Sequence, residues 1–206
     1  MEKNNYKNPD AGCDKYGAQR LELAVYIRDN LFNCIENEWC IENGTLLGAW
    51  RNGKFIPHDD DFDFAMFVSS MQDIGHIYDA IADKIKHTKY KARLIHSYAS
   101  KIEIYDDSYG DYMLLKDEYN GANYHFVTID LQFYLQLNDN VYEKLYYIYP
   151  SNAKLRIDAS CVFPVGTIEL ENETFNAPAQ VEEFLKTEYG SLDSNASYNS
   201  QTGFYE

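Results

Sequence analysis

From Phe55 to Val68 the chain alternates acidic with apolar residues, and this stretch limits the possible folds more than any other. A strand's period of two places Asp59, Asp61 and Asp63 on one face and Phe62 and Phe64 on the other. Phe55 and Ile56 precede the acids and Ala65 to Val68 follow them, so the run reads as a strand entering a core and not as a solvated acidic turn. Like charges about 5 Å apart repel by roughly 3 kcal/mol at an effective dielectric near 20. Such a cluster needs raised pKa values, open solvent or a bound cation, and a hard divalent ion with oxygen ligands, Mg2+ or Mn2+, answers it most economically. An EF-hand loop begins the same way, but it requires glycine where Phe64 stands and glutamate where Ser70 stands.

The surrounding pattern predicts one α/β (α+β) domain over residues 19–190, between a flexible arm (1–18) and a polar tail (191–206). Gln19 to Glu36 carries an apolar stripe at helical spacing, interrupted only by Arg28. Trp39 to Ile41 reads as a short buried strand, Leu46 to Trp50 as a helical turn, and Met71 to Ile85 as a helix capped by Ser69 or Ser70. Arg93 to Ile95 and Lys101 to Tyr105 are candidate strands, and Asp106 to Asn123 reads mostly as loop. Between His125 and Leu137 the alternation is clean, with Asp130 on the polar parity beside Thr128, Gln132 and Gln136. Strand-like segments continue to Thr174, and Pro178 opens a last helix that Gly190 ends.

Charge and cysteine usage narrow the function. With 18 Lys+Arg against 33 Asp+Glu, a formal charge of −15 repels phosphate backbones, and no basic stripe is present, so nucleic acid is not expected as a partner. No run of 18 apolar residues and no signal-like N-terminus occurs, which leads us to expect no membrane span and a cytoplasmic location. The four cysteines (Cys13, Cys34, Cys40, Cys161) form no CxxC pair and are expected to be buried thiols. The 19 Tyr and 11 Phe could build a choline- or sugar-stacking surface, but core and strand packing explains most of them.

Upstream of the acids, Gly44-Thr45 follows a predicted strand and precedes a helical turn, where backbone N–H groups and a hydroxyl can hold phosphate. Arg51 and Lys54 supply nearby positive charge for phosphate oxygens. The whole run from Gly44-Thr45-Leu46-Leu47-Gly48 through Phe55-Ile56-Pro57-His58-Asp59-Asp60-Asp61-Phe62-Asp63 resembles the signature of the LicD family. That family includes bacterial phosphocholine transferases and fukutin-related ribitol-phosphate transferases. Ile129-Asp130-Leu131 resembles the family's later strand with its third carboxylate. Phe163-Pro164, Phe175, Pro178, Phe184-Leu185 and Tyr189-Gly190 are similar to its C-terminal pattern. His58 stands in place of an aromatic residue and Trp50 in place of a smaller apolar one.

The resemblance implies a polymerase-beta-like nucleotidyltransferase fold with a mixed central sheet flanked by helices. Carried over by position, Asp61, Asp63 and Asp130 would be the catalytic and metal-binding triad. Gly44, Thr45, Arg51 and Asp59 would be substrate-binding or supporting residues. The implied chemistry is Mg2+- or Mn2+-dependent transfer of a phospho-alcohol from a CDP-linked donor to the hydroxyl of a glycan or related acceptor, releasing CMP. Two rival readings use the same acids: transfer of NMP from an NTP to a small molecule or protein, and a catalytically idle nucleotide-binding module.

Overall fold

Phe62 and Phe64 lead the chain from the acidic run into the core; both are fully buried, their rings lie 4.8 Å apart, and Phe175 stands 5.3 Å from Phe62. The structure is a computed structural model that describes residues 11–96, 99–113, 123–146, 154–193, 196–199 and 204–206. In chain order the elements are α1 (Cys13–Tyr26), β1 (Trp39–Ile41), α2 (Asn43–Asn52), β2 (Asp63–Val68), α3 (Met71–Ile85), β3 (Lys91–Ile95) and β4 (Lys101–Tyr105). β5 (Asp111–Met113), β6 (Asn123–His125), β7 (Thr128–Asn138), β8 (Val141–Lys144) and β9 (Arg156–Asp158) follow. The chain continues with α4 (Ala159–Val162), β10 (Gly166–Leu170), β11 (Glu173–Ala177), α5 (Val181–Tyr189), β12 (Tyr198–Asn199) and β13 (Phe204–Tyr205).

A mixed sheet of seven strands runs β1-β2-β7-β4-β3, with β8 on β7 and β9 on β8. β2 and β7 are parallel and the other pairs antiparallel. Helices flank this sheet. After α1, a π-helical turn over Ile27–Leu31 and a 3-10 turn over Phe32–Cys34 bring Phe32 to 5.0 Å from Phe64. On the opposite face Phe184 of α5 lies 6.1 Å from Tyr134. α3 buries Ile74, Ile77, Ile81 and Ile85, and the Asp73 carboxylate accepts the Ser70 N–H at 2.9 Å, closing the expected cap.

Several expectations are corrected. The first helix starts at Cys13 and not at Gln19, because Ala11 is buried and the Cys13 and Asp14 N–H groups donate to Asp59 O (2.8 Å) and Pro57 O (3.1 Å). Residues 11–18 are therefore folded, while 1–10 of the expected arm lie outside the described residues. The 3.6-residue period does not last to Glu36; the π turn seats Ile27, Leu31 and Phe32 together on the buried side. Arg28, the polar exception in that stripe, pairs with Glu173 at 3.0 Å over the Phe175 ring. Strand β2 begins only at Asp63 and is buried on both faces, so its alternation ends where the sheet is covered twice. Part of the tail also packs, with Ser191 N–H donating to Tyr205 O at 2.7 Å. Cys40 and Cys161 are buried as expected, but Cys34 is exposed and Cys13 half-buried. No helix among the described residues is long and apolar enough to cross a membrane.

Candidate active site

The pairing of β2 with β7 creates the site. Parallel register sets Asp63 opposite Asp130, so two carboxylates on separate strands share one face of the sheet. Asp61, two residues before β2, completes the group: one oxygen from each of Asp61, Asp63 and Asp130 lies within 4.8 Å of the others. Asp63 and Asp130 are buried and Asp61 half-buried. The row continues across the sheet, with Glu103 opposite Asp130 and Arg93 opposite Glu103, and Arg93 pairs with Glu103. Lys101, also buried, reaches Asp130 Oδ2 at 2.5 Å and Glu103 Oε1 at 3.0 Å.

Electrostatics follow from this crowding. Burial raises the Asp63 carboxyl well above the usual range, and the charges of Asp61 and Asp130 push the same way. Burial lifts Asp130 to about 7, against the opposing pull of Lys101. Asp63 Oδ1 accepts from Gln132 Nε2 at 3.0 Å, whereas Asp130 Oδ1 is buried and has no hydrogen-bond donor among the described residues. Three carboxylates within 4.8 Å of one another, one of them with a buried oxygen that has no donor, are the donor set of a hard oxygen-seeking cation, so these residues fit a divalent ion of that class.

The other expected residues are placed unevenly. Thr45 is buried, and its Oγ1 accepts the Asp63 N–H at 3.0 Å, tying α2 to the start of β2. Asp59 does not join the triad; it is buried and forms a second acidic group with Asp60 and Asp61. A Cβ at Gly44 would stand 2.2 Å from Asp59 Oδ2, so only glycine lets the first turn of α2 rest on that carboxylate. Gly44→Ala should displace Asp59 and lower turnover roughly tenfold, with a smaller loss of melting temperature, since the clash falls on a buried side chain beside the triad. Steady-state rates and thermal melts of the variant check this.

Arg51 is exposed in the last turn of α2, about 10 Å along the axis from Gly44, and no hydrogen bond or ion pair of its side chain reaches a described residue. Lys54 is committed to Glu171 at 2.8 Å. His58 is exposed and belongs to neither acidic group.

Sequence reasoning missed the residues that support this arrangement. Lys101 and Glu103 share one parity of β4 and could have been matched to the polar parity of β7. Beside the triad, Lys144 Nζ donates to Glu42 Oε2 (2.8 Å), Glu188 Oε1 (2.8 Å) and Asn43 Oδ1 (2.9 Å), and Tyr134 OH donates to Glu42 at 2.7 Å. This buried network joins α2 and the Glu42 that precedes it to β7, β8 and α5 under the Gly44 turn, and burial lifts Glu42 to about 7. Arg20, fully buried, donates to the carbonyls of Asp59 (3.2 Å) and Phe126 (2.6 Å) and to that of Ala11. It thus anchors the acidic loop to the segment that leads into β7.

Comparison with known proteins bears on this geometry. The family model described as "LicD/FKTN/FKRP, nucleotidyltransferase domain" matches residues 36–180, which include all three triad positions. No curated protein matches the chain. Among solved structures, the STING-associated CdnE c-di-GMP synthase from Capnocytophaga granulosa is similar with a TM-score of 0.36 and 14% identity, over 71% of this chain and 42% of that one.

Proposed function

The chain belongs to the LicD/FKTN/FKRP family, and from that membership we propose that it transfers a phospho-alcohol group of the phosphocholine or ribitol-phosphate type. The donor is a CDP-linked alcohol, the acceptor is a hydroxyl of a glycan or related molecule, and CMP leaves. The observation that supports this reading best is the convergence of Asp61, Asp63 and Asp130 within 4.8 Å, with one buried Asp130 oxygen left without a donor.

In this reading Asp61, Asp63 and Asp130 hold Mg2+ or Mn2+, which when bound neutralises charge on the donor's pyrophosphate. The protein's own groups do the rest. The acceptor oxygen forms a bond to the phosphorus that bears the alcohol, the bond from that phosphorus to CMP breaks, and the hydroxyl proton passes to a carboxylate of the triad, for which we assign Asp130. Thr45 fixes the backbone of Asp63, and Gln132 orients its side chain. Gly44 and the first turn of α2 bring backbone N–H groups toward the donor phosphates, with Asp59 as the support beneath. Arg51, exposed at the far end of α2, is assigned to the outer, solvent-facing part of the bound donor.

Incubation with CDP-choline or CDP-ribitol plus Mg2+, followed by mass spectrometry, tests the proposal. CMP release that stops on chelation is expected. Pyrophosphate release from an NTP instead would favour NMP transfer, and tight nucleotide binding with no product under either metal would favour an idle module.

A further inference from the structure

Lys101 is the feature of the site that the triad chemistry leaves unexplained. A lysine is rarely buried unless paired, and this one lies on the strand next to β7 with its ammonium 2.5 Å from Asp130 Oδ2 and 3.0 Å from Glu103 Oε1. The Tyr124 ring stands 5.5 Å from the same nitrogen. The two oxygens of Asp130 therefore differ: Oδ2 is held by an ammonium, and Oδ1 is buried with no donor among the described residues. Register sets this pattern, because Lys101 pairs with Gln132 and Glu103 with Asp130, placing the amine on the face that carries the triad.

Four carboxylates, Asp61, Asp63, Asp130 and Glu103, meet here, and Arg93 neutralises the far side of Glu103. One divalent ion together with one ammonium would leave this row of charge nearly balanced. A second divalent ion on Asp130 Oδ2 would have to displace the buried Lys101 ammonium from that oxygen.

We propose that Lys101 is a built-in cation that takes the place of a second metal ion, so that the triad binds one divalent ion per chain. The inference rests on reading the triad as a metal site. Lys101 is then a positioning residue: it holds Asp130 Oδ2 and keeps the second cation position filled by protein.

Counting bound Mn2+ by electron paramagnetic resonance, in the full chain with and without CDP, tests this apart from activity. Wild type should bind one ion under both conditions and Lys101→Arg, which keeps the charge, also one. Lys101→Met should bind two, a doubling of the count. If Lys101→Met does not fold, the wild-type and Lys101→Arg counts still decide the matter. Two ions in wild type, or one in a folded Lys101→Met, would overturn the role of Lys101 and leave the metal site intact. No bound ion in wild type would overturn the metal reading itself.

Discussion

Asp61→Asn and Asp63→Asn are each expected to reduce CMP release on the order of a thousandfold while the chain stays folded. The two halves of this expectation have the same cause. In the metal-free protein the triad carboxylates repel one another, and the burial of Asp63 makes its ionised form costly. An amide of the same shape removes one of those charges, so the melting temperature should hold or rise. On the proposed function, the metal-loaded site would lose a ligand that no neighbour replaces, because Asp59 and Asp60 lie in a separate acidic group that shares only Asp61. Rates measured beside thermal melts separate the effects. A folded variant with wild-type turnover would remove its carboxylate from the mechanism.

Arg20→Met is the stability counterpart. The guanidinium is fully buried and joins three carbonyls, those of Ala11, Asp59 and Phe126, which come from distant parts of the chain. Methionine fills part of the volume but donates nothing. Buried carbonyls left without donors cost about 1–3 kcal/mol each. Asp59 O keeps the Cys13 N–H at 2.8 Å, so a total loss of roughly 3–4 kcal/mol is expected. For a chain of this size that lowers the melting temperature by about 10 °C. Calorimetry checks the figure, and a loss below about 1 kcal/mol would mean that the acidic loop does not depend on this anchor.

The triad and Arg20 also mark the limits of what the sequence made legible. The triad could be read because its signals are local: alternation around Asp61 and Asp63, a clean polar parity containing Asp130, and a long run resembling one family. The helix from Met71 to Ile85 was legible for the same reason, since its cap and its isoleucine spacing both lie within one segment. Arg20 gave no signal, because a buried arginine satisfied by carbonyls looks in sequence like any arginine on a helix. Lys144, Glu42 and Glu188 are far apart in the chain, and only the reach of the Lys144 side chain from β8 turns them into one network. Lys101 was legible only as the start of a candidate strand, because the register that sets β4 against β7 and brings it to Asp130 is a property of the sheet. The strand period does not carry back to Asp59, because β2 starts at Asp63 and the preceding loop turns Asp59 toward Gly44.

Anomalous scattering from crystals soaked in Mn2+ bears most directly on the central assignment. A single peak about 2.1 Å from oxygens of Asp61, Asp63 and Asp130 together is the expected result. A peak held by Asp59, Asp60 and Asp61 with Asp130 uninvolved, or no peak at saturating metal, would contradict it.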